Sequence, residues 1–236
     1  MDSRLEPVPV VAAFAHEVRE VVELVGLYAV GSLAMGGYRP GVSDLDLVAV
    51  ISAPVDERAL RVFHRRFARE HAAAARLHCA YEPGGVYWAH GRILRRPLDA
   101  IARAELLAGG VVVCGPAPAE LFPPVGVAEL RAAAEAELAG YWRRAVRRPW
   151  WWLDERIVDL GLLTVVRARA AIADGRLITK ADALTQLDAF GVPAWLCAEI
   201  ARRRRGNHVA ASLRQRIQRA AIARRIVARA VRQPDG

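Results

Sequence analysis

The feature that most constrains this chain is a change of character at Pro123-Pro124. Before it, short apolar runs alternate with amphipathic stretches; after it, only helical spacing remains. Leu27 to Val30, Asp44 to Ile51, Leu77 to Tyr81, Val86 to Ala89 and Val111 to Cys114 read as strands. Around them, Val10 to Val25, Asp56 to Ala75 and Leu98 to Leu107 carry apolar residues at helical spacing. Beyond Val127 the helical patterns cover roughly 127–146, 153–173, 180–189, 193–204 and 208–231, with punctuation at Pro149, Gly175, Gly191 and Gly206. Strands mixed with helices, then helices alone, predict two domains. The first, over 1–124, is an α/β domain with a mixed sheet flanked by helices, and the second, over 125–236, is all-α.

Composition narrows the class. Of 236 residues 54% are apolar and 25% charged, which builds packed cores and excludes a disordered chain. No apolar run reaches the roughly 20 residues of a membrane-spanning helix; Leu24 to Gly37 is uncharged but short and holds four glycines. Asp2, Arg4 and Glu6 come where a secretory leader would be basic and then apolar. Three cysteines, Cys79, Cys114 and Cys197, are odd in number and far apart, so neither a disulfide framework nor a zinc cage is expected. A reducing cytoplasm is the expected location. The formal charge is +9, and of 34 basic residues only Lys180 is a lysine. Such charge attracts polyanions, and both ATP and nucleic acid qualify.

The stretch that carries chemistry is Gly31-Ser32 at the end of one strand and Ser43-Asp44-Leu45-Asp46-Leu47 at the opening of the next. Carboxylates two residues apart on a strand share a face. Two like charges held together favour a cation between them, and oxygen ligands suit magnesium, which keeps positions for water and phosphate oxygens. Gly31 lets backbone approach a phosphate, and Ser32 offers a hydroxyl and an N–H to an anion. Together these describe a phosphoryl-transfer site.

Gly31-Ser32 followed by Asp44-Leu45-Asp46 resembles the signature of the polymerase-beta-like nucleotidyltransferase superfamily. Three further segments are similar to the aminoglycoside (3'') adenylyltransferase family, which modifies streptomycin and spectinomycin: Cys114 to Val125, Asp154-Glu155-Arg156, and Gly175 to Ala183. The resemblance runs in order from about residue 26 to 205. It implies attack of an acceptor hydroxyl on the α-phosphorus of ATP, with pyrophosphate leaving and two magnesium ions clamping the transferring group. It places metal on Asp44 and Asp46, and phosphate oxygens on Gly31, Ser32 and Ser43. The family carries a third acid, a glutamate, on a neighbouring strand as proton acceptor. Here the aligned position holds His78, with Glu82 four residues later. Glu82, His78 or neither takes that role.

In the helical domain the resemblance gives Lys180 a phosphate contact, and a compact ammonium suits a triphosphate. Thr179 and Asp182 predict a cap that sets Lys180 in a first helical turn. Asp154 with Trp151 is the nearest match to the family's acceptor-binding pair, a carboxylate beside an aromatic face being suited to a polycation. Ile157 stands where the family has asparagine. The helical domain is thus expected to bind acceptor and close over ATP. The partners expected are ATP and a small hydroxyl-bearing acceptor of the aminoglycoside type. Neither membrane nor nucleic acid is expected, since the Arg202 to Arg205 run reads as a solvated helix face, and the chain is expected to act as a monomer.

Overall fold

The computed structural model describes residues 2–6, 8–41, 43–207 and 209–232. The chain forms two compact units, Met1–Pro124 and Val125–Gly236.

The first unit is built on a six-stranded mixed sheet in the order β5-β4-β3-β2-β1-β6. Its strands are β1 (Leu24–Val30), β2 (Leu45–Ile51), β3 (Leu77–Glu82), β4 (Val86–Ala89), β5 (Arg92–Arg95) and β6 (Val111–Cys114). β2 pairs antiparallel with β1 and parallel with β3; the other pairings are antiparallel. The first helix, α1 (Pro9–Glu17), opens with proline at its first turn, where a missing N–H costs nothing. It stops well before the expected Val25 because the sheet takes over: Leu24 already pairs with Ile51. A short turn, α2 (Gly31–Ala34), comes after β1. Next is α3 (Glu57–Glu70), whose N-terminus is held by Asp56 accepting from the backbone of Arg58 and Ala59 at 2.8 and 3.2 Å. Asp99 caps α4 (Ala100–Gly109) in the same way, through the N–H of Ala102.

Strand alternation gives the sheet two faces. Leu45, Leu47, Ala49 and Ile51 of β2 join Phe14 of α1 and Leu60, Phe63 and Phe67 of α3 in the main core. On the other face Val48 packs with Tyr28, Ala80 and Leu106 of α4. Asp44 and Asp46 belong by alternation to this second face. The edge strand β5, Arg-Ile-Leu-Arg, has no counterpart among the strands expected from sequence; only Ile93 of its four side chains is not exposed, so apolar alternation does not mark it. A last short helix, α5 (Pro118–Leu121), precedes Pro123-Pro124.

The second unit is helical. α6 (Val127–Glu137) continues through a π turn, Leu138–Trp142, into α7 (Arg143–Val146). After a 3-10 turn, Pro149–Leu153, the central α8 (Glu155–Asp174) buries Val158, Leu162, Leu163, Val165 and Val166. Gly161 is required there, because a Cβ would stand 2.9 Å from the Trp142 ring and 3.0 Å from that of Trp152. α9 (Lys180–Thr185) is opened by the expected reciprocal cap between Thr179 and Asp182. α10 (Ala194–Arg204) and α11 (Leu213–Arg232) complete the unit. The pattern placed the last helix from 208; it starts at Leu213, where Ser212 and Gln215 exchange hydrogen bonds, and His208 lies outside the described residues. Among the described residues no helix is long and apolar enough to cross a membrane.

Candidate active site

The site assembles where β1, β2 and β3 meet. Val30, the last residue of β1, pairs with Asp46, so Gly31 turns away directly beside that carboxylate. Gly31 has φ +62°, and a Cβ there would lie 2.6 Å from Asp46 Oδ2. Both the left-handed backbone and the lack of space call for glycine. Asp46 is about one-third exposed and Asp44 slightly more, so both acids reach solvent from the second face of the sheet.

The parallel register between β2 and β3 sets Asp46 opposite His78, Val48 opposite Ala80 and Val50 opposite Glu82. His78 Nδ1 consequently stands 3.3 Å from Asp46 Oδ1. Glu82 lies four residues further along, about 13 Å at strand rise. Its carboxylate accepts the backbone N–H of Leu98 at 2.7 Å, tying the end of β3 to the approach of α4. His78 is buried, with its ring 4.6 Å from that of His90 and 6.1 Å from that of Tyr87.

Ser32 is half-buried in the turn after Gly31, and its carbonyl accepts from Gly37 at 2.8 Å. The Ser43 hydroxyl oxygen accepts the N–H of Arg39 at 3.1 Å, closing the loop into β2 and leaving its own O–H to donate elsewhere. Three neighbours were not singled out from sequence. Arg76, just before β3, pairs with Asp44 at 3.0 Å. Tyr87 is pushed up to about 12, first by burial and next by the Asp46 carboxylate. His90 sits in the β4–β5 turn at φ +50°. The spacing of Arg76 two residues ahead of His78 was the available signal, but it is informative only once the parallel register is known.

Asp44 and Asp46 are the residues here that could hold a divalent ion. Two carboxylates share one open face, and the turn beside them accommodates no side chain at Gly31. An ion bound there would neutralise triphosphate charge and orient the phosphorus for attack.

In the second unit Lys180 is exposed at the first position of α9. Asp154 caps α8 through the N–H of Arg156 at 2.9 Å and pairs with that residue's guanidinium at 3.0 Å. Asp159 takes both arms of the buried Arg203, at 2.9 and 2.5 Å. The buried Arg219 binds Glu199 at 2.7 Å and Glu155 at 3.3 Å. The Trp151 ring already carries a cation, Arg148, at 4.6 Å from its centroid, while Trp152 is core and donates to the Ala145 carbonyl at 2.9 Å.

A strand ending in a glycine turn, an acid pair opening the next strand, and a mixed sheet around them define a nucleotidyl-transferring enzyme. Residues 11–80, which span β1, the acid pair and the first part of β3, match the model of the nucleotidyltransferase domain family, of the polymerase-beta-like kind. The chain is therefore a nucleotidyltransferase. Its fold is that of spectinomycin adenyltransferase AAD(9) from Enterococcus faecialis, a structure containing ATP and spectinomycin. The match has a TM-score of 0.66 at 15% identity and covers 94% of this chain and 98% of that one. No curated protein matches the chain.

Proposed function

We propose that this enzyme transfers AMP from ATP to a hydroxyl of a small polyhydroxylated acceptor, with the divalent ion held by Asp44 and Asp46. The acceptor oxygen forms a bond to the α-phosphorus as the bond from that phosphorus to pyrophosphate breaks, and the hydroxyl proton leaves to solvent. Gly31 and Ser32 face the phosphates, and Ser43 donates its O–H to them. The observation that carries this reading is the fit of Gly31 against Asp46: the carboxylate occupies the space a Cβ would need. Neither candidate is taken as proton acceptor: the Glu82 carboxylate is engaged on Leu98, and His78 stands against the Asp46 carboxylate.

The acceptor is proposed to carry little positive charge. A polycation needs free carboxylates, and Asp154, Glu155, Asp159 and Glu199 are each paired with arginine. Displacing the buried Arg203 or Arg219 would strand a charge away from water, at a cost of roughly 3–5 kcal/mol. Among antibiotics of the expected type, spectinomycin therefore precedes more basic aminoglycosides. The test is mass spectrometry of acceptors incubated with enzyme, ATP and divalent ion. Gain of one AMP on a weakly charged acceptor supports the reading, and modification confined to the most basic aminoglycosides contradicts the acceptor class.

A further inference from the structure

The residue beside the acid pair is not an acid, and this changes what the metal position can bind. We infer that the ion is held through nitrogen as well as oxygen, with His78 Nδ1 joining Asp46, so that the site favours transition ions such as cobalt or zinc over magnesium. This rests on the reading of Asp44 and Asp46 as the metal position.

The geometry is that of neighbouring ligands. Two adjacent donors on an octahedral ion with bonds near 2.1 Å stand about 3.0 Å apart. Asp46 Oδ1 and His78 Nδ1 are 3.3 Å apart. Neither group has far to move. The Asp46 carboxylate is backed by the Gly31 turn, where even a Cβ would lie 2.6 Å from Oδ2. The His78 ring is only 8% exposed and is wedged edge-to-face, at 74°, against His90. A ring fixed in this way presents Nδ1 to the carboxylate without loss of rotamer freedom on binding. Arg76 is the competing cation, but it engages Asp44 Oδ1 from a side chain that is 48% exposed, so it can yield to an ion.

Donor chemistry then sets the preference. Magnesium is bound almost entirely through oxygen, whereas imidazole nitrogen suits zinc, nickel and cobalt, and affinity for a mixed site rises along the first-row series from manganese through cobalt. A carboxylate in place of His78 would give an all-oxygen set and remove the distinction.

The experiment is binding of magnesium, manganese and cobalt to the metal-free full-length chain by calorimetry, with pulsed electron paramagnetic resonance of bound manganese. The expected spectrum shows coupling to an imidazole nitrogen, and cobalt binds more tightly than magnesium. His78→Ala should remove the coupling and weaken cobalt by roughly 10-fold or more while changing magnesium by less than about 3-fold. His78→Glu should reverse the preference toward magnesium. Wild-type protein lacking nitrogen coupling, or His78→Ala retaining both coupling and cobalt affinity, overturns the inference, and the wild-type spectrum decides even if the variants do not fold. Asp46→Asn separates the two levels. If it abolishes binding while the His78 variants do not matter, only the nitrogen ligand fails; if it too leaves binding intact, the metal position itself is wrong.

Discussion

Gly31 and Asp46 leave no room between them: the strand pair sets the glycine Cα so close to the carboxylate that one added methyl would meet Oδ2 at 2.6 Å. Gly31→Ala must therefore either push Asp46 aside or abandon φ +62°. The strain costs about 1–2 kcal/mol of stability, and the displaced carboxylate should lower nucleotidyl transfer by about 100-fold or more. Thermal unfolding and steady-state kinetics on the same preparation check both; near-normal turnover would show that Asp46 needs no such confinement.

Glu82 is expected to support the fold and not the chemistry. Glu82→Gln keeps an oxygen for the Leu98 N–H, so turnover should stay within about 3-fold of wild type. Glu82→Ala leaves that N–H without its partner and should cost about 1–3 kcal/mol in a denaturant titration. A loss of roughly 100-fold in Glu82→Gln, with the fold intact, would instead make this carboxylate the proton acceptor.

His64 gives the first unit a pH dependence of its own. It is stacked on Trp88 at 4.4 Å, hydrogen-bonded to the Tyr81 hydroxyl at 2.8 Å, and burial lowers its pKa from 6.5 to about 3. Unfolded, the same imidazole takes up a proton below about pH 6.5, so the folded state loses ground as pH falls from there toward 3. The slope is up to about 1.4 kcal/mol per pH unit. Urea midpoints for wild type and His64→Gln between pH 7.5 and 5 should converge as pH drops; a constant difference would show that His64 titrates in the folded protein.

How much of this was legible in the sequence depends on range. β4 and β6 were read at their observed limits because each is a short apolar run between glycines or turns. The glycine turn and the acid pair were legible because they are local patterns of two or three residues. β5 was not, being a polar edge strand. The end of α1 was missed because Val21 and Val22 continue a helical stripe that the strand pairing of Leu24 overrides. What no spacing could supply was register. That His78 and not Glu82 stands beside Asp46 depends on how β3 slides along β2. That Asp154, Glu155 and Asp159 are neutralised depends on arginines 2 to 64 positions away in the chain. Asp154, read from sequence as an acceptor-binding carboxylate, is once folded held in an ion pair, as are its neighbours Glu155 and Asp159.

The central claim is tested most directly by pyrophosphate release with ATP, a divalent ion and a panel of hydroxylated acceptors that includes spectinomycin, using wild type and Asp46→Ala side by side. The wild-type enzyme should release pyrophosphate with at least one acceptor, and Asp46→Ala, still folded by circular dichroism, should fall by about 1,000-fold or more. An Asp46→Ala enzyme that turns over at a wild-type rate would contradict the account.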